Sequence, residues 1–191
     1  TKFGLRWIYS NGTHFRTVRN FQGKNIDIYR YASRASVIEE CENSLKRLKT
    51  DYIDLYQLHW PDETTPFEET FGAIEQLVRQ GKVRYVGVSN VTPEQMDEIG
   101  KIVPIVSLQM PYNMLDRSIE KEIVPYCIDT KKAILAYRPL EAGLLSGKIH
   151  PGDTWAQNDS RNVNPHFTYD SIRKTNAFLE LLEARRAEQE A

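Results

Sequence analysis

Short apolar runs recur along the chain, separated mostly by segments of helical period, and each run ends on a polar or aromatic side chain able to do chemistry. Val83-Arg84-Tyr85-Val86-Gly87-Val88 is closed by Ser89-Asn90, Ile105-Val106-Ser107-Leu108 by Gln109, and Ala133-Ile134-Leu135-Ala136 by Tyr137. The run from Tyr52 to Leu58 is closed by His59, and Thr1-Lys2-Phe3-Gly4 reads as the tail of a fifth strand carrying Lys2. A repeated strand–helix order favours parallel strands, because each return crossover needs a helix. In such sheets chemistry gathers beyond the carboxyl ends of the strands. Five strand ends bearing Lys2, His59, Ser89-Asn90, Gln109 and Tyr137 therefore define one candidate site.

The intervening helices have readable ends. Ser36-Val37-Ile38-Glu39 fits a capping box, followed by an apolar face of Val37, Ile38, Cys41, Leu45 and Leu48. Thr65-Pro66-Phe67-Glu68 offers an N-cap, a proline in the first turn and a glutamate three residues on, with Gly81 as a stop. Thr92-Pro93-Glu94-Gln95 repeats the start signal. Further helices are expected from about Ser118 to Asp129 and from about Tyr169 to Gln189, the last turning highly charged and prone to fray. Two stretches, about 6–32 and 139–168, lack periodicity and are expected to be long loops, functional or disordered.

Composition adds bounds. With 191 residues, 40% of them hydrophobic, the chain can bury one sizeable core and reads as a single domain over 1–191. The 25 basic and 26 acidic side chains are well mixed, which argues against general nucleic-acid binding. Cys41 and Cys127 lie far apart on helical segments and read as buried reduced thiols, neither a disulfide nor a metal pair. No apolar run approaches the ~18–20 residues of a membrane span, and no secretory signal is visible. The cytoplasm is the expected address. Five parallel strands cannot close an eight-stranded barrel, and an open half-barrel exposes an unpaired edge. Residues missing at both ends are therefore expected, consistent with a chain that begins on Thr1, not Met; a covering partner is the alternative.

Several long motifs now coincide with one family. Thr1-Lys2-Phe3-Gly4-Leu5, the run from Ser44 to Asp62 (SLKRLKTDYIDLYQLHWPD), that from Gly81 to Asn90 (GKVRYVGVSN), Gln109-Met110-Pro111-Tyr112-Asn113, and Ala136-Tyr137-Arg138-Pro139-Leu140 with Gly143-Leu144-Leu145-Ser146-Gly147-Lys148 resemble the aldo-keto reductases in order and spacing. The last motif is most similar to the bacterial and potassium-channel β-subunit branches. The resemblance implies an α/β fold, a (β/α)8 TIM barrel of which about five consecutive strands are present, and NAD(P)H-dependent reduction of aldehydes or ketones. Lys2 and His59 fall on the lysine and histidine of the family's Asp–Tyr–Lys–His tetrad, whose Asp and Tyr come from a segment upstream of Thr1. No tyrosine of this chain lies in the catalytic Tyr motif, so residues 1–191 alone are expected to be inactive.

The resemblance further implies that Ser89, Asn90 and Gln109 bind the nicotinamide carboxamide and that Tyr137 stacks on its ring. Arg138, Pro139, Leu140, Gly143, Leu145, Gly147 and Lys148 would line the rest of the cofactor, with Arg161 a further phosphate candidate. Arg138 departs from the small residue common at its position and divides evenly between phosphate and solvent. NADPH is expected, with NADH the alternative, because the segment that reads the 2′-phosphate lies beyond Ala191. Trp60 and the aromatic loop from Leu5 to Phe21, including Trp7, would wall a small carbonyl substrate, since such pockets are apolar with a few placed polar groups. Ordinary roles compete at each position: a solvated Lys2, a packing His59, turn-forming Ser89 and Asn90. A catalytically inactive or partner-dependent binding protein of the same fold is the alternative function, because fold does not fix function. Oligomeric state cannot be read from the chain.

Overall fold

The computed structural model describes residues 1–7, 10–20 and 22–190. Contacts divide the chain into two compact units, Thr1–Met110 with Ile119–Leu135, and Pro111–Ser118 with Ala136–Ala191.

The first unit is built on a five-stranded sheet. The sheet's strands are β1 (Lys2–Phe3), β5 (Ile53–Leu58), β6 (Val83–Ser89), β7 (Ile105–Pro111) and β8 (Ala133–Tyr137), in spatial order β1-β5-β6-β7-β8, and all of their residues but Pro111, Ala136 and Tyr137 belong to the first unit. The β1–β5, β5–β6 and β6–β7 pairs are parallel, with Lys2 opposite Gln57 and Ser89 opposite Gln109. Each expected strand is present to within two residues. Helices α1 (Arg34–Leu48), α2 (Phe67–Arg79), α3 (Pro93–Gly100) and α4 (Ile123–Asp129) form the crossovers. The core holds Phe3, Val37, Tyr56, Phe71, Ile74, Leu77, Met96, Ile99 and Leu108, each at most 1% exposed. Cys41 and Cys127 are buried and unpaired, as expected.

Helix ends follow the sequence signals in part. Thr92 caps α3 with a full capping box: its side chain accepts from Gln95 N, and the Gln95 side chain accepts from Thr92 N. For α1 the cap is Ser33, not Ser36; Ser36 lies inside the helix, buried, with its N–H donating to Ser33 Oγ. For α2 the cap position is Pro66, and the Thr65 hydroxyl donates instead to Asp62. Both hydroxyls were drawn into the tertiary network of the strand-end loops.

The largest departure from expectation is the first long loop. It contains an antiparallel three-stranded sheet, ordered β2 (Leu5–Arg6), β4 (Asn25–Arg30) and β3 (Thr13–Arg19). Its period-two signal is masked by a register shift between His14 and Arg16, which leaves Phe15 as an extra residue and flips the alternation. The hairpin closes around Asn20, whose side-chain oxygen accepts from the N–H groups of Gln22 and Lys24. Gly12 is obligatory, since a Cβ there would sit 2.1 Å from Arg30 O. Of the expected aromatic loop, Ile8, Tyr9 and Phe21 lie outside the described residues.

The second unit has its own small core of Leu144, Ile149, Phe167 and Ile172, with Leu115 and Trp155 packed against it. Here the expected loop over 139–168 forms 3-10 turns at Glu141–Ser146, Ser160–Val163 and Pro165–Phe167, followed by α5 (Tyr169–Glu190).

Candidate active site

Gly4 makes the junction on which the first unit's site depends. Its φ of 91° is open to glycine and strained for other residues, and it carries the chain from β1 into β2. Lys2, the first residue of the two-residue β1, lies opposite Gln57 near the end of β5, and His59 just beyond β5 donates from its backbone N to Phe3 O at 2.9 Å. Lys2 and His59 line one cavity of about 350 Å³, together with Trp7, Leu5, Arg16 and Glu40. The structure thus brings together the two expected tetrad residues and one of the two expected substrate-wall tryptophans.

The cavity is electrostatically biased. Partial burial pushes the His59 imidazole down to about 4, and the neighbouring charges of Lys2 and Arg16 push in the same direction. His59 is therefore neutral at physiological pH. Burial also holds the Lys2 ammonium below its ordinary value. Glu40, on α1, accepts from the backbone N–H of Gly4 with both oxygens, at 3.2 and 3.3 Å, and from Ser36 Oγ at 3.2 Å. Burial pushes its carboxyl up to about 7, against the opposing pull of the Gly4 N–H and the Arg6 guanidinium.

A second cluster sits at the ends of β6 and β7. Ser89 is fully buried and donates to Gln109 O at 2.8 Å, while Asn90 Nδ2 donates to Ser89 Oγ at 3.0 Å and to His59 O at 2.9 Å. Asn90 adopts φ 59°, a left-handed conformation that asparagine tolerates better than most residues. Gln109 Oε1 accepts from Gln57 Nε2 at 3.5 Å. Two amides and a hydroxyl are thus gathered beside the His59 backbone.

The wall above is the hairpin. Phe15 packs 5.3 Å from Trp60 between ring centroids, and the guanidinium groups of Arg16 and Arg30 lie 5.5 and 5.6 Å from the Phe15 ring. Asp62 anchors the return: its carboxylate accepts from Ala32 N, Thr64 N, Thr64 Oγ1 and Thr65 Oγ1 at 2.7–2.9 Å. Arg16 and Glu40 were missed from the sequence. Arg16 is hidden by the register shift beside it, and Glu40 by its place in a glutamate-rich helix that reads as solvated.

In the second unit, Tyr137 is half-buried and its hydroxyl is pushed up by burial. Arg138, Pro139, Leu140, Gly147 and Lys148 are exposed, and Gly143 and Leu145 partly so. The segment is shaped by Asn113 and Glu141. Asn113 Nδ2 donates to Arg138 O at 3.1 Å and to Glu141 Oε2 at 2.8 Å, and Asn164 Nδ2 donates to Glu141 Oε1 at 2.7 Å. This hub holds Arg138, Glu141 and Ala142 in positive φ. Several N–H groups of the loop serve the turn itself: Gly143 and Leu145 donate to Leu140 O, and Gly147 to Leu144 O. Arg161 donates from Nε and Nη2 to Asp159 at 2.9 and 2.6 Å and lies 5.3 Å over the Trp155 ring. The bridge from Arg161 pulls the Asp159 carboxyl down to about 2.

Residues 22–189 match the model of the aldo/keto reductase family. The chain belongs to that family. It is 47% identical over 144 residues to the aldo-keto reductase YhdN of Bacillus subtilis, an alignment covering 75% of this chain and 44% of that protein. It is 37% identical over 152 residues to the NADH-specific methylglyoxal reductase of Escherichia coli, covering 78% of this chain and 45% of that protein. Among solved structures, the glycerol dehydrogenase AKR11B4 of Gluconobacter oxydans superposes with a TM-score of 0.86 at 35% identity, over 98% of this chain and 54% of that one. The fold is accordingly α/β, a run of five strands of an aldo/keto reductase barrel. The chain spans about half the length of the family members it matches.

Proposed function

We propose that this aldo/keto reductase segment contributes to NAD(P)H-dependent reduction of small aldehydes or ketones to alcohols. The observation that carries the reading is the cavity shared by Lys2 and His59 at adjacent parallel strand ends. Reduced nicotinamide, when bound, supplies the hydride that adds to the carbonyl carbon, while a proton completes the alcohol at oxygen and oxidised nicotinamide is left. A neutral His59 can donate one ring N–H to the substrate oxygen without competing for the proton being delivered. The Lys2 ammonium stabilises negative charge as it develops at the proton donor and the substrate oxygen, and partial burial strengthens that effect. No tyrosine of this chain is proposed as the proton donor.

Ser89, Asn90 and Gln109 fit a carboxamide, which needs donors and acceptors together. Among the described residues no partner is seen for the Gln109 Nε2 amide hydrogens, which leaves a donor for such a group. In the second unit, the Tyr137 ring and the exposed Lys148 are the groups offered to the coenzyme, with Arg138, Pro139, Leu140, Gly143, Leu145 and Gly147 along its course. Arg161 serves phosphate only if the coenzyme competes with Asp159 for its fork. Buried free thiols at Cys41 and Cys127 fit a reducing compartment such as the cytoplasm. Among the described residues no helix is long and apolar enough to cross a membrane.

The test is fluorescence titration of NADPH, and separately NADH, into the intact protein. Saturable enhancement of nicotinamide emission is expected, stronger for NADPH. No change with either coenzyme would contradict the proposal.

A further inference from the structure

Glu141 is a carboxylate enclosed where the loop after β8 turns, and it is 3% exposed. Both of its oxygens are used: Oε2 accepts from Asn113 Nδ2 at 2.8 Å and Oε1 from Asn164 Nδ2 at 2.7 Å. Neither asparagine is free to turn its amide over, because the network around each fixes its orientation. Asn113 Oδ1 already accepts from the backbone N–H groups of Leu115 and Asp116, at 2.8 and 2.9 Å, and Asn164 Oδ1 accepts from His166 N at 2.9 Å. Each therefore presents its NH2 group to residue 141, which has to accept twice. An ionised carboxylate offers acceptors only, whereas an amide pairs one acceptor with one donor group. Asn113 Nδ2 also donates to Arg138 O at 3.1 Å, so a single side chain grips the loop at two points. At and beside these points Arg138, Glu141 and Ala142 take φ of 56°, 43° and 49°. Residues other than glycine keep that conformation only where their surroundings hold them in it, and such strain gathers at functional sites.

From this arrangement, and resting on the reductase reading above, we infer that Glu141 is a positioning residue for the coenzyme. Its two accepted bonds hold segment 138–148 in the strained shape that receives the coenzyme, so Glu141 acts through the loop backbone. The cost of ordering the loop is thereby met on folding, before the coenzyme arrives. With one of the two bonds lost, the loop relaxes out of its left-handed turn, and the coenzyme has to select the shape from a smaller share of molecules. Apparent affinity falls by that share. A bond to a charged group sets such a balance by about tenfold or more. The hydride and proton steps, which need the loop only in its bound shape, keep their rate once coenzyme saturates the protein.

Glu141→Gln is the direct test, because it keeps the shape of the side chain and sets one donor against another. In the intact protein, NADPH and NADH affinities are read by fluorescence titration, kcat with 4-nitrobenzaldehyde at saturating coenzyme, and hydrogen exchange over 138–148 without coenzyme. The Kd of the coenzyme that binds should rise at least about tenfold, exchange across the segment should quicken, and kcat should stay within about twofold. Adding Asn164→Asp to Glu141→Gln reverses one bond. The amide now at 141 donates to the carboxylate now at 164, and its oxygen still accepts from Asn113. Affinity should then return to within about threefold of the unaltered protein, whereas Asn164→Asp alone, which sets two carboxylates face to face, should weaken binding. If Glu141→Gln does not fold, the double variant carries the test through its recovery of folding and of affinity. A Kd unchanged in Glu141→Gln, lowered thermal stability with Kd unchanged, or a loss that Asn164→Asp does not recover overturns the inference. Binding of neither coenzyme to the unaltered protein sinks the reductase reading and the inference with it, and binding indifferent to residue 141 sinks the inference alone.

Discussion

His59 shows how much a single position is set by its neighbours. Its imidazole is held at about 4 by partial burial and by two cations, so it is neutral in the folded state where an unfolded histidine begins to protonate. The unfolded chain then binds more protons between the ordinary histidine value and about 4. This group's contribution to stability is complete above that window and is lost as pH falls through it. An NMR titration of the His59 ring should give a midpoint well below that of a model histidine, and Arg16→Gln should raise it. A midpoint near 6.5 would contradict the arrangement of Lys2, Arg16 and His59. Gly87 is a second informative residue. A Cβ there would lie 2.5 Å from Ser107 Oγ and 2.9 Å from Gln57 Cγ, both on flanking strands. Gly87→Ala should destabilise by about 1–3 kcal/mol in urea denaturation, through overpacking. A neutral outcome would show that Gln57 and Ser107 can retreat.

At the scale of elements, regular segments were legible and their junctions were not. Strands β5 to β8 announced themselves as short runs rich in apolar, β-branched and aromatic residues, each closed by a polar or aromatic side chain. The α3 capping box was legible because all its partners lie within four residues. The β3–β4 hairpin was not legible, since one extra residue at Phe15 reverses its alternation. The signal that could have found it was Asn20 and Gly23 lying between Val18 and the alternating Ile26 and Ile28. Lys2, His59, Ser89, Asn90 and Gln109 could be named because strand ends are readable. Arg16 and Asp62 act through partners distant in sequence and could not. Asp62, 5% exposed, ties the hairpin's return to the end of β5 through Ala32 N. Asp62→Ala leaves that N–H and the Thr65 hydroxyl without their acceptor, so a loss of about 3 kcal/mol is expected. Faster proteolysis between Gly12 and Ala32 should accompany it, and unchanged hairpin protection would show that Phe15 and Trp60 suffice as the anchor.

At the scale of the whole molecule, the residues proposed for the site fall in both compact units. The first carries Lys2, His59 and the Ser89–Asn90–Gln109 cluster, and the second carries Tyr137 and the segment shaped by Asn113 and Glu141. No tyrosine of this chain lies in the family's catalytic Tyr motif, so on the proposed reading residues 1–191 expressed alone should show little or no NADPH oxidation. Turnover equal to that of the intact protein would mean that this chain holds its own donor. The most direct test of the central claim is Lys2→Met in the intact protein, with NADPH oxidation by a reactive aldehyde such as 4-nitrobenzaldehyde followed alongside NADPH binding by fluorescence. The account predicts a rate lower by about 10²-fold or more, with coenzyme affinity nearly unchanged. An unaltered turnover rate would remove Lys2 from the chemistry and contradict the account.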